Sequence, residues 1–240
     1  MLWRNHLIRN YSDEGSTIDF YSIGSEIENE IVIRRSRFIS SAKMVLSPQE
    51  ARAFIAERSS LHSKANHNCW AYKISPNECL NQQELFASDD GEPPGTGGKS
   101  LIGAIEKSNI TNVAVVVSRY FGGHKLGIRG LIDAYSDAAL TAIEKSDVFE
   151  FRLFIRLVIN CGYSEWPRVQ YETERIQIHI NKDDVIFKER IQLTVYVESE
   201  KLKHFVSILN TFQANRLDVD YQITDNRQYR SVKKLKENKV

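Results

Sequence analysis

Apolar and polar residues settle into a pattern near Glu28, where two extended runs, 31–35 and 37–44, collect β-branched and apolar side chains. The stretch before them, with Ser12-Asp13-Glu14-Gly15-Ser16, shows little periodicity and reads as a flexible lead-in over 1–27. Ser47-Pro48-Gln49-Glu50 predicts a helix start: Ser47 caps, Pro48 suits the first helical position and Glu50 closes a capping box. Ala51, Phe54, Ile55 and Arg58 carry the helical period to about residue 60. Residues 69–74 form a short apolar strand. Four glycines and two prolines then exclude helix and strand interiors from 89–99. A short helix over 100–108 precedes a strand over 112–120, whose VAVVV centre predicts burial on both faces. A second glycine-rich turn, 119–127, leads into a helix ending near residue 145, with Leu131, Ile132, Tyr135, Ala138, Ala139 and Ala142 on one face.

Beyond residue 147 the texture changes. The pattern predicts a strand over 149–160, a helix over 163–173 around Trp166-Pro167, and strands over 175–181 and 187–198. An amphipathic helix over 201–211 presents Leu202, Phe205, Val206 and Leu209, and a last strand covers 217–223. This order matches the ferredoxin-like split βαβ unit. The fold class is therefore α+β with two domains, 28–148 and 149–225, followed by a mobile basic tail over 226–240.

Charge narrows the classes of function. Across 240 residues, 32 Lys and Arg nearly balance 31 Asp and Glu, for a net charge of +1. That excludes a generally basic nucleic-acid coat and an acidic solvating chain. Residues 21–150 carry 14 bases against 16 acids, so any nucleic-acid contact there has to be local. The three cysteines, Cys69, Cys79 and Cys161, include no C-x-x-C pair and predict neither a disulfide framework nor a zinc ribbon. No apolar run reaches about 18 residues, and the start lacks a secretory h-region. A cytoplasmic location with no membrane contact is expected.

Two loops hold the candidate chemistry. The 89–99 loop ends in Gly98-Lys99-Ser100, but Pro93 stands where a Walker motif needs its first glycine. Its acids, Asp89, Asp90 and Glu92, are candidates for holding a divalent cation or for acid–base work. Capping of helix ends and turns explains the same residues more simply. Around the second loop, Arg119, His124, Lys125 and Arg129 gather near Gly122 and Gly123, with Tyr120 and Phe121 as aromatic faces. Backbone N–H groups, fixed positive charge and aromatic rings together describe an anion or single-stranded nucleic-acid site. A tight strand-to-helix turn with core aromatics fits equally well. His67 and Cys69 share a strand face, but no third group orients them as a catalytic pair, and a buried structural cysteine is the simpler reading.

Four segments carry a family resemblance: S-R-F from Ser36, N-H-N-C-W-A-Y at 66–72, D-D-G-E-P-P-G-T-G-G-K at 89–99 and V-V-V-S-R-Y-F-G-G-H-K-L-G at 115–127. Together they resemble the IMPACT/YigZ family over about residues 28–224. The resemblance implies a first domain like domain IV of elongation factor G and a ferredoxin-like second domain like its domain V. It also implies a role around translation. In eukaryotic relatives that role is damping of the general-control kinase pathway, and those relatives have an added RWD domain. The roughly 25 residues ahead of the match are too few to form one, so the kinase-pathway role is not carried over. Arg129 stands where the family usually has glycine, adding a charge to the turn.

The leading expectation is a non-enzymatic module that docks on RNA or the ribosome, or on a protein of the translation machinery. Lys99, Arg119, Lys125 and Arg129 would contact phosphates, and His67 and His124 would hydrogen-bond. Tyr120 would stack, and the N–H groups of Gly122 and Gly123 would line the turn. The alternatives are an enzyme acting on a phosphorylated or nucleotide-like molecule through Asp89, Asp90 and Glu92, and a protein-interaction module. No metal or cofactor is called for by the sequence.

Overall fold

The computed structural model describes residues 20–75 and 83–234, without the side chains of 225–227. The Ser12–Ser16 segment, Cys79 and the end of the tail lie outside the described residues. Mixed α/β structure fills the rest, with two sheets and five α-helices among the described residues. The chain divides into two units, Phe20–Phe151 with 231–234 and Arg152–Arg230.

In the first unit the sheet order is β2-β3-β6-β4-β5, with every neighbouring pair antiparallel. The strands are β2 (Ile27–Ile33), β3 (Ser36–Met44), β4 (His67–Ile74), β5 (Glu84–Ser88) and β6 (Val113–Tyr120). Strand β6 is central, and its alternate residues enter two different cores. Val113, Val115 and Val117 pack with Phe38 and Ala71 under α2 (Gly98–Lys107) and α3 (Gly127–Lys145). Ala114 and Val116 pack with Phe54 of α1 (Pro48–Leu61) on the opposite face. The continuous apolar run thus reflects a strand covered from both sides, here inside an antiparallel sheet. Ser47 caps α1 as its side chain accepts the Glu50 N–H at 3.2 Å. The reciprocal bond from Glu50 goes to the Leu46 N–H, one residue earlier than a capping box requires.

In the second unit the order is β10-β7-β9-β8, formed by β7 (Val148–Cys161), β8 (Val185–Phe187), β9 (Ile191–Glu198) and β10 (Val219–Lys234). The division between the units falls inside β7. Leu153, Ile155, Leu157 and Ile159 alternate onto one sheet face. There they meet Val169 of α4 (Trp166–Arg175) and Leu202, Phe205 and Leu209 of α5 (Ser199–Ala214).

The structure departs from the sequence reading at several places. The expected 31–35 run ends at Ile33, with Arg34 and Arg35 in the turn to β3, and the expected strand over 187–198 is two strands, β8 and β9, separated by residues 188–190. Within the expected lead-in, β1 (Phe20–Ile23) pairs with residues 148–151 of β7, and the Phe20 and Phe151 rings stack with centroids 5.4 Å apart. A four-residue strand has no periodicity of its own; a partner far along the chain orders it. Strand β5 has no counterpart in the sequence reading either: its apolar run is only Leu85-Phe86-Ala87, and it lies at the sheet edge with Phe86 exposed. The expected strand over 175–181 is instead a helix closure. Gln177 takes a φ of +60° while its N–H reaches Glu174 O (2.9 Å) and the Ile178 N–H reaches Thr173 O (2.8 Å), the two bonds of a Schellman motif. The Ile176–Ile178 alternation therefore buries a turn and not a strand. Finally, β10 extends to Lys234 through the first part of the expected mobile tail, where Lys234 Nζ lies 2.6 Å from Asp147 Oδ1.

No helix among the described residues is long and apolar enough to cross a membrane.

Candidate functional site

The β4–β6 register sets His67 opposite Arg119, so the start of one strand and the end of the other share one edge of the first unit. Both glycine-rich loops meet there.

Asp89 organises the first loop from within. Its carboxylate accepts N–H bonds from Gly95 (2.8 Å), Gly97 (2.9 Å) and Gly98 (2.9 Å), and it supplies the cap that Gly97 cannot give to α2. A negative charge at a helix N-terminus is favourable. Gly97 has no room for a side chain, since a Cβ would lie 2.4 Å from Cys69 Sγ. The amides that would cradle a phosphate are thus already bonded. Asp90 accepts the Asn68 N–H at 2.6 Å, and its carbonyl accepts from His67 Nδ1 at 2.8 Å. A carbonyl only accepts, so Nδ1 carries the proton. Nε2 then lies 3.9 Å from Glu92 Oε1.

Glu92 is the centre of the convergence. Its side chain is 3% exposed, and Oε1 accepts from Arg119 Nη1 at 2.6 Å and from Tyr135 Oη at 2.9 Å. The Arg119 guanidinium is buried too, with its carbon 5.6 Å from the Phe38 ring centre and 5.5 Å from that of Phe121. The second loop is tied to the first by this ion pair and to β4 through Asn66. Asn66 accepts the Phe121 N–H on its side chain (2.8 Å) and donates its own N–H to Arg119 O (2.8 Å).

A cavity of about 420 Å³ opens over the pair, with His67, Glu92, Arg119, Phe121, Lys125 and Ile128 in its wall. The structure brings together four of the residues expected at the site: His67, Glu92, Arg119 and Lys125. It separates others. Tyr120 points to the opposite sheet face, where its hydroxyl meets His62 Nδ1 at 3.1 Å. Arg129 is outside the cavity wall and pairs with Asp133 at 3.1 Å. His124 Nδ1 donates to Gly122 O at 3.4 Å, and Lys99 is exposed on α2 away from the cavity wall. The Gly122 N–H is taken by Ser36 Oγ at 3.2 Å, and Gly123 holds a φ of +85°.

Two expected roles change. Arg119 is engaged inside the unit by Glu92, so it shapes the site and is not a free phosphate contact. Asp89, Asp90 and Glu92 turn their carboxylates to protein donors and not toward a shared cation. Among the described residues, no group of three or more His, Cys, Asp or Glu is arranged to hold a metal ion.

Cys69 belongs to this scaffold. Its thiol donates to Asp89 O at 3.0 Å, and burial pushes its pKa up to about 12. Burial likewise drives the Tyr135 hydroxyl far upward. At pH 8 the thiolate of Cys69 is scarce and enclosed, so iodoacetamide should leave it unmodified in the native protein. Peptide mass spectrometry before and after denaturation checks this; rapid native labelling of Cys69 would contradict the burial.

Residues 34–143 match the model of the Impact N-terminal domain. The chain is 30% identical over 200 residues to the IMPACT family member YvyE of Bacillus subtilis, covering 83% of this chain and 89% of that protein. It is 34% identical over 197 residues to an IMPACT family member of Haemophilus influenzae, covering 80% and 92%. A crystal structure of a hypothetical protein matches with a TM-score of 0.58 at 22% identity, over 87% of this chain and 98% of that one, which speaks to the fold alone.

Proposed function

The chain belongs to the IMPACT family, and on that premise we propose that it is a translation-associated regulatory protein that binds RNA, free or on the ribosome, through its first unit. The observation that carries this reading is the meeting of both glycine-rich loops at one concave edge, fixed from below by the Glu92–Arg119 pair. Above that pair, Lys125 supplies charge, His67 a polar ring nitrogen and half-exposed Phe121 a stacking face. His124 and Arg129 follow on the same loop and the start of α3, while Lys99 lies away from the cavity wall. Because Asp89 and Arg119 serve as scaffold, the reading rests on the cations that remain accessible. A protein of the translation machinery is a further partner, and the cytoplasm is the expected location.

The architecture accords with the reading. A sheet with helices on both faces supports the likeness of the first unit to domain IV of elongation factor G. The order β10-β7-β9-β8, with α4 and α5 on one face, supports a ferredoxin-like second unit.

Filter binding of a single-stranded RNA across salt concentrations tests the proposal. The logarithm of affinity should fall with the logarithm of salt at about 0.7 per neutralised phosphate. Lys125→Ala should lower that slope by about 0.7. Absent or salt-independent binding by the wild type would overturn it.

A further inference from the structure

The β2–β3 hairpin turns in two residues, Arg34 and Arg35, between the last strand pair Ile33 and Ser36. Both take left-handed backbone, with φ of +45° and +69°. Positive φ at both central residues defines a type I′ turn, which favours Asn-Gly and disfavours side chains such as arginine. Local conformation therefore gives no reason for two arginines here, and neither does packing. Both are exposed, and neither guanidinium bonds to another described residue. Arg37, the next base along, differs: it is held by Glu30 at 2.8 Å.

The turn's position supplies the reason. Gly122 packs directly on its backbone, where a Cβ would lie 2.0 Å from Arg35 O, and the Gly122 N–H donates to Ser36 Oγ. The hairpin tip is thus locked to the loop that carries Phe121 and Lys125. We propose that Arg34 and Arg35 form a second phosphate-contacting arm beside the cavity, extending the RNA site onto the β2–β3 turn. Guanidinium suits this task, since its planar fork bonds phosphate oxygens in a fixed geometry. An exposed ring beside several unpaired cations favours single-stranded RNA over an acidic protein segment, which offers charge but no bases to stack.

The proposal rests on the RNA reading above, and one variant separates the two. Arg34→Asn with Arg35→Gly installs the residues a type I′ turn prefers, so the thermal midpoint should hold or rise. RNA affinity at low salt should fall by about tenfold or more, and the salt slope should lose about 1.4, two contacts' worth. Arg34→Lys with Arg35→Lys should keep most of the slope. If the wild type binds RNA and the Asn-Gly protein binds it equally well with an unchanged slope, the arm is refuted while the RNA reading stands. If the wild type fails to bind, the RNA reading itself falls. Displacement of RNA by polyglutamate at matched charge concentration would overturn the choice of RNA as the partner.

Discussion

Replacing Arg119 with methionine should destabilise the first unit by about 3–5 kcal/mol, the range for removing one partner of a buried ion pair. The reason is Glu92. Its side chain is 3% exposed, and without Arg119 its carboxylate keeps only the Tyr135 hydroxyl as a bonded donor. An uncompensated buried charge is costlier than the lost bond itself. Methionine retains much of the volume between Phe38 and Phe121, so the effect is mainly electrostatic. The control is the double variant Arg119→Met with Glu92→Leu, which removes both charges and should recover most of the loss. Urea unfolding of the wild type, both single variants and the double variant reads the coupling directly. A cost below about 1 kcal/mol for Arg119→Met would show that the pair is not what holds the two loops together.

That pair also marks the limit of what the sequence shows. Both glycine-rich segments are legible as loops, and the VAVVV run is legible as the central strand, because composition and period act locally. Alternation along β6 also separates Arg119 from Tyr120, so their opposite faces follow from the strand itself. What sequence cannot distinguish is an acid beside glycines that caps a helix from one that waits for a cation. Asp89 becomes a cap only when the loop curls Gly95, Gly97 and Gly98 around it. Arg119 likewise reads as a surface base until the 89–92 turn delivers Glu92. The same applies to β1, whose order comes from a partner far along the chain, and to 176–178, where an alternating pattern serves a helix closure. The Arg34-Arg35 turn is hidden in the sequence, where both arginines read as the end of the extended run 31–35, and their placement beside Gly122 is a tertiary fact.

Gly122→Ala should cost about 3 kcal/mol, at the upper end of what overpacking usually causes. The added Cβ would lie 2.0 Å from Arg35 O and 2.1 Å from Arg35 C, so backbone and not a yielding side chain stands in its way. Either the β2–β3 turn or the 121–127 loop must move, and the Ser36 Oγ bond to the Gly122 N–H is lost with it. Gly123 provides the contrast. A Cβ there meets nothing within 4 Å, but its φ is +85°, so Gly123→Ala is a matter of conformation alone. Its cost should be about 1–2 kcal/mol, and asparagine, which tolerates left-handed backbone better, should cost less than alanine. Denaturant midpoints for the three variants should therefore fall in the order Gly122→Ala lowest, then Gly123→Ala, then Gly123→Asn. The reverse order would mean that the hairpin and the loop are not in backbone contact. Because that contact ties the Arg34-Arg35 turn to the 121–127 loop, Gly122→Ala should weaken RNA binding even at temperatures where the protein stays folded, whereas Gly123→Asn should leave binding close to wild type.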